Sequence, residues 1–275
     1  MLPAWSRGRS RANSPGGNDA LLDPAVEDFE GLGDEGRAVD VGGDLVEFDL
    51  RRQGPAHFAE WLDARGLPWQ LVPLDEGVAV PGDPRAFSGI GMMGGPMSVT
   101  DPLPWIAPLS VLLRDAVREG VPVIGHCLGG QALAQALGAR VTRTRVPEIG
   151  WIEVDVVEGA PRERWFGGRE RFAAFQWHYD VFDLPAGATR VLGNAFNPNQ
   201  AYVVDDRHIG FQCHVEMTRD LVETWCASGG DELPRVSTPS QQSAADILGD
   251  VDARVATLNG VADGIYARWA ARLPA

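Results

Sequence analysis

The sequence predicts an α/β protein: a doubly wound, mostly parallel mixed sheet flanked by helices, with a C-terminal helical extension. Three observations carry this. Short apolar runs alternate with helical segments through the first half, several strand-like segments then follow in succession, and the apolar run Val121–Ile124 leads through a glycine-flanked turn into a helix.

Residues 1–43 are rich in Gly, Asp, Glu and Arg with few clustered apolar residues, so they read as a disordered arm, or as upstream sequence included by a misplaced start. Leu45–Leu50 is the sole candidate for the first strand, although Glu47 and Asp49 interrupt the apolar run that a buried parallel strand favours. A helix follows over Pro55–Arg65, stopped by Gly66, then strands over Trp69–Leu74 and Phe87–Met93 and a helix over Ile106–Glu119. After Val121–Ile124 the segment Gln131–Leu137 is built of strong helix formers and ends at Gly138. Trp151–Glu158, Arg171–His178, Ala188–Leu192 and the region Tyr202–Cys213 then supply consecutive strands, some of them antiparallel. Thr218 caps a helix reaching Ala227. From Ser243 to Leu273, Ile247, Val251, Val255, Leu258, Val261, Ile265 and Trp269 recur at spacings of three and four, an apolar stripe expected to pack on the core or on a second subunit. Gly249, Gly260 and Gly264 predict bends in it. The chain thus divides into an arm (1–43), a catalytic-type domain (44–230) and the extension (231–275).

Length and composition bound the function. A chain of 275 residues with 44% hydrophobic content can bury one substantial core plus an appendage. Its net charge of −14 argues against nucleic acid or an anionic membrane as partner. Three cysteines do not make a disulfide framework. No apolar run is long enough to span a bilayer, and the first residues, with Arg7, Arg9 and Arg11 among Ser, Gly and Pro, lack the core of a signal peptide, which places the chain in the cytoplasm. There is no C-x-x-C or H-E-x-x-H, no phosphate-loop motif and no lysine at all, so neither a metal nor a cofactor is expected.

The chemistry concentrates in three motifs. Gly125-His126-Cys127-Leu128-Gly129 mounts a cysteine on a strand-to-helix turn, where glycines are needed because the chain reverses sharply and where the helix N-terminus favours thiolate. Gly210-Phe211-Gln212-Cys213-His214-Val215-Glu216 reads as a strand, and residues two apart on a strand share a face, so Glu216 can orient His214 as base for Cys127. Gly94-Gly95-Pro96-Met97-Ser98 follows an apolar strand, and the N–H groups of Gly94 and Gly95, with that of Leu128, form a candidate oxyanion hole. Cys213 and Cys226 read as inert small hydrophobes and His57, His126 and His208 as structural, while His178 stands between a site contact and a core histidine.

Together with EIGW (148–151) and WHYDVFDLPAGA (177–188), these motifs resemble, in the same order, the class I (triad, Cys-His-Glu) glutamine amidotransferases, and above all their stand-alone members similar to the glutaminase domain of GMP synthase. The resemblance implies a flavodoxin-like fold, Cys127 as nucleophile toward the side-chain amide of glutamine, His214 as proton shuttle and Glu216 as its support. It also implies that Gln131 and the stretch Trp177-His178-Tyr179 hold the amino-acid end of the substrate. Where many members carry Phe and Pro, this chain has Cys213 and Val215, neither of which bears chemistry. Ser228-Gly229-Gly230-Asp231 resembles the phosphate loop of the family's ATP pyrophosphatase domain, but it follows a helix and leaves too little chain for such a domain. Three readings follow: an amidotransferase subunit passing ammonia to a separate synthetase, a self-sufficient γ-glutamyl hydrolase or peptidase, and a non-catalytic binding protein on the same scaffold. Oligomeric state is not legible.

Overall fold

The computed structural model describes the backbone of residues 45–49 and residues 55–274; the expected arm over 1–43 lies outside them. Among the described residues nine strands form one sheet: β1 (Leu45–Asp49), β2 (Trp69–Pro73), β3 (Ile90–Met92), β4 (Val123–Gly125), β5 (Val141–Val156), β6 (Arg171–Phe182), β7 (Thr189–Gly193), β8 (Ala201–Val204) and β9 (His208–Phe211). Their spatial order is β2-β1-β3-β4-β9-β8-β7-β5-β6. The first five in that order are parallel and the rest are joined antiparallel, giving the mixed sheet.

The helices are α1 (Ala56–Ala64), α2 (Ile106–Glu119), α3 (Leu128–Ala136), α4 (Ala160–Phe166), α5 (Arg219–Ser228), α6 (Ala244–Leu248) and α7 (Val251–Ala270). They cover both faces, as parallel strands require. On one face α2 and α3 bury Leu109, Leu112, Leu113 and Leu133 over Ile90, Val123 and Tyr202. On the other, α1, α5 and α7 bury Phe58, Trp61, Trp225, Leu258, Ile265, Tyr266 and Trp269 over Ile124, Phe175 and Phe211.

The charged run at Leu45–Asp49 is a strand after all, and an interior one: Glu47 pairs in parallel register with Leu71 on one side and Gly91 on the other. Two flanking ladders outweigh an imperfect hydrophobic pattern. β5 begins ten residues before Trp151, because its register with β6 shifts between Arg143 and Glu148. Pro147 lies inside that irregularity, where its missing N–H breaks no regular ladder. The short helix α4 carried no legible signal. Of the three expected bends only Gly249 marks a break; Gly260 and Gly264 lie on the exposed side of α7, which runs unbroken through both.

The turn between β8 and β9 fastens this layer. Asp206, at φ 52°, accepts hydrogen bonds from Trp165 Nε1 (2.9 Å), Arg164 (3.2 Å), Arg272 (2.7 Å) and Arg268. One carboxylate thereby links the β8–β9 turn to α4 and α7.

Candidate active site

At the end of β4 the chain turns through His126 and Cys127 into α3. Cys127 sits at φ 49°, ψ −109°, a backbone conformation that an L-residue with a Cβ adopts only when its surroundings impose it. They do: His126 N–H donates to Met92 O at 2.8 Å, Gly129 N–H to His126 O at 2.9 Å and Gln131 N–H to Cys127 O at 2.9 Å. A Cβ on Gly125 would lie 2.6 Å from the Gly129 backbone, and one on Gly129 2.5 Å from Met92 O. The two glycines are therefore needed for close backbone approach, as the motif predicts. Gly130 is tighter still, at 2.1 Å from Phe211 O.

His214 follows β9 and bonds back to β6, its N–H donating to Phe175 O at 2.8 Å and its carbonyl accepting from Phe175 N–H at 3.3 Å. The strand expected over Gly210–Glu216 ends at Phe211, and His214 and Glu216 lie on the irregular segment after it, where Glu216 Oε1 nonetheless accepts from His214 Nδ1 at 2.6 Å. Trp225 of α5 packs edge-on against the ring, centroids 4.9 Å apart. Burial disfavours the charged imidazole, but the Glu216 carboxylate and then the Cys127 sulfur more than offset it and bring His214 up to about 10. Burial likewise opposes the Glu216 charge, and His214 with His126 holds it down at about 2. The two form a buried ion pair.

These groups open on a pocket of about 1000 Å³ lined by Cys127, Leu128, Gln131 and His214 together with Gly95, Trp177, His178 and Tyr179. Glu216 stands behind His214, and Gly94 is buried outside the lining. Gln131 Nε2 donates to Asp180 O at 3.1 Å and to Gln212 Oε1 at 3.4 Å. The outer wall is polar: Glu232 accepts from Trp177 Nε1 at 3.1 Å, Arg143 lies 4.5 Å over the Tyr179 ring, and burial with the Glu232 bond pushes the Tyr179 phenol up to about 12.

Sequence reasoning missed several members of this site. Gln212, whose Nε2 lies 4.0 Å from Cys127 Sγ, sits just past the end of β9 and two residues before His214, inside a motif already singled out. Arg143, Asp180 and Glu232 carried no comparable signal, because distant segments bring them together. The remaining cysteines fit their plain reading: burial raises the Cys213 thiol well above its ordinary value and Cys226 to about 11. His126 is buried and stacked on Phe211, turned from the pocket, and burial lowers its pKa; burial also takes His208 down to about 4. His57 is more than a helix residue, since its N–H donates to Glu216 O at 3.0 Å and its Nε2 lies 2.7 Å from Asp263. Among the described residues no cluster of three or more His, Cys, Asp or Glu could hold a metal ion, and no helix is long and apolar enough to cross a membrane.

Residues 57–223, more than half of the chain, match the family described as glutamine amidotransferase class-I. The chain belongs to that family. This class I glutamine amidotransferase is 29% identical over 184 residues to the glutamine amidotransferase-like protein YfeJ of Salmonella typhimurium, covering 64% of this chain and 76% of that one. It is 30% identical over 245 residues to a GMP synthase [glutamine-hydrolyzing] of Aeropyrum pernix, covering 81% of this chain and 42% of that one. The amidotransferase therefore spans less than half of that synthase. Among solved structures, a glutamine amido transferase from Methylobacillus flagellatus superposes with a TM-score of 0.82 at 42% identity, over 85% of this chain and 96% of that one.

Proposed function

We propose that this class I amidotransferase hydrolyses the side-chain amide of glutamine and passes the ammonia to a synthetase on a separate chain. The observation that carries the reading is the strained Cys127 at the start of α3, in one pocket with a His214 that is bonded to Glu216 at 2.6 Å. Cys127 sulfur attacks Cδ of glutamine, and the oxyanion that forms accepts from the N–H groups of Leu128 and the Gly94-Gly95 loop. His214 gives its Nε2 proton to the amide nitrogen as the C–N bond breaks, which releases ammonia and leaves a γ-glutamyl thioester. Water then attacks the thioester, His214 takes its proton, and glutamate leaves with the thiolate restored. Gln131 and the Trp177–Tyr179 stretch hold the amino-acid end. The similarity to GMP synthases supports a synthetase as recipient.

A second reading is favoured by the size of the pocket. At about 1000 Å³ it exceeds what glutamine fills, and its lining also includes Arg143 and Glu232, which suits a γ-glutamyl peptide or amide cleaved through the same thioester. Turnover of glutamine and of γ-glutamyl peptides by the purified protein separates the two. Slow glutamine hydrolysis that rises with a synthetase supports the first, and fast peptide cleavage by the chain alone supports the second. No covalent adduct at Cys127 with an electrophilic glutamine analogue would sink both in favour of a binding role.

A further inference from the structure

The wall of the pocket is more acidic than the chain as a whole. The sequence carries 38 acidic and 24 basic side chains, whereas four carboxylates, those of Asp101, Asp180, Asp231 and Glu232, line the pocket against one guanidinium, that of Arg143. Arg143 is already engaged, 3.9 Å from Asp180 and 4.5 Å over the Tyr179 ring. Asp101, Asp231 and Glu232 make no ion pair among the described residues. Two of these are held in place, Asp101 accepting from Ser98 N–H at 2.8 Å and Glu232 from Trp177 Nε1 at 3.1 Å. The charge on His214 adds nothing to balance them, because Glu216 answers it from behind at 2.6 Å. His178 is an independent sign that the wall meets a polar ligand: it is 3% exposed, it lines the same pocket, and neither ring nitrogen makes a hydrogen bond among the described residues.

A cleft lined by one sign of charge concentrates ligands of the other sign. Glutamine does not supply that charge: at neutral pH its α-ammonium and α-carboxylate cancel, as they do in any γ-glutamyl group. Positive charge has to come from the part of the substrate beyond the γ-amide, and the space that glutamine leaves in a pocket of about 1000 Å³ has room for such a part. We propose that the γ-glutamyl compound cleaved here is the amide of a diamine or polyamine, whose leaving amine carries a second, protonated amino group. The inference rests on the γ-glutamyl amide reading above and names its substrate class. The chemistry is the same: Cys127 sulfur bonds to Cδ, the C–N bond breaks as His214 gives its proton to the departing nitrogen, the free diamine leaves, and water releases glutamate from the thioester. A carboxylate at the far end, as in a γ-glutamyl amino acid, meets Asp101, Asp231 and Glu232 instead and is disfavoured.

The test gives the purified full chain a set of γ-glutamyl amides that differ at the far end of a short amine: 1,4-diaminobutane, which ends in an ammonium, butylamine, which ends in a methyl, and 4-aminobutanoate, which ends in a carboxylate. At low salt kcat/KM should fall in that order, with about tenfold or more between ammonium and carboxylate, and the spread should narrow as sodium chloride is added, because exposed charges are screened. Asp101→Asn combined with Asp231→Asn removes charge with little change of shape, and Asn at 101 can still accept from Ser98 N–H. This double variant should lower kcat/KM for the ammonium amide about two- to tenfold and leave the butylamide within about twofold, which also shows that it folds. Equal rates for all the amides, a preference for the carboxylate, or a spread that ignores both salt and the double variant would overturn the proposal and leave γ-glutamyl amide cleavage standing. If none of the amides is cleaved while glutamine is hydrolysed, the γ-glutamyl amide reading falls and takes the proposal with it.

Discussion

Cys127 is held at φ 49° beside a buried His214–Glu216 pair, and in the proposed reaction that strained position serves a nucleophile. Cys127→Ala should therefore leave no adduct and no glutamine hydrolysis above background, measured by mass spectrometry and ammonia release. Glu216→Gln should keep partial activity, lower by roughly 10²–10⁴-fold, because His214 can still act while poorly oriented. Its pH dependence carries a sign. Glu216 is the chief favourable cause that lifts His214 to about 10, so removing the charge lowers that value. The protonated ring that must donate to the departing amide nitrogen is then lost at lower pH, and the basic limb of the kcat/KM profile should move to lower pH. An unmoved limb would show that Glu216 does not support the imidazolium. At this scale Cys127, His214 and Glu216 were legible because each lies in a short motif whose local geometry follows from spacing alone. Asp231 was not, although it stands in a segment that drew notice: Asp101 and Asp180, which line the pocket with it, come from two other segments, and only the fold unites them.

Elements are joined here by close backbone approach and by a few polar ties. Gly130 of α3 leaves no space for a methyl group, which would meet the Phe211 carbonyl at 2.1 Å, and Tyr202 Oη donates to the Gly130 carbonyl at 2.9 Å. Gly130→Ala should push α3 from β9 and cost about 1–3 kcal/mol or more of stability, read by denaturant midpoint. The tie between α1 and α7 is His57 on Asp263 at 2.7 Å. Burial works against the charged ring, and Asp263, then Glu60, outweighs it and raises the pKa above 6.5. A raised histidine stabilises fully below its unfolded value of 6.5 and loses that contribution as the pH climbs through the raised folded value. Wild type should thus melt above Asp263→Asn by a small margin near pH 6, worth under about 1 kcal/mol for so exposed a partner, and the gap should close at high pH. A gap independent of pH would mean that the contact is not ionic. The regular elements were readable wherever periodicity was unbroken. The first half of β5 escaped because Arg, Thr and Pro there obey neither pattern, the strand being set by its long pairing with β6 rather than by its own residues.

In the whole molecule, the segment after the amidotransferase match is part of the core rather than an appendage. The family match ends at 223, yet Leu258, Ile265, Tyr266 and Trp269 of α7 are entirely buried against Phe58, Trp61 and the sheet. Tyr266 and Trp269 pack on Phe58 at 4.7 and 5.5 Å, and Tyr266 meets the edge of His126 at 6.1 Å, directly behind Cys127. The extension therefore supports the elbow from the face opposite the pocket. Composition assigned the arm over 1–43 no part in the chemistry, so the two ends of the chain should respond differently to removal. Deleting 1–43 should leave turnover of glutamine or of a γ-glutamyl peptide unchanged. Ending the chain at residue 243 should uncover the aromatic layer and give protein that is insoluble or lacks a cooperative melt. Trp269→Ala, a milder cut at the same place, should cost about 3–5 kcal/mol, as truncations of large buried aromatics do. Its labelling of Cys127 should weaken only when the protein begins to unfold, because Trp269 is not among the groups that line the pocket. A variant that folds with wild-type stability would show that α7 is only laid over a domain already complete without it.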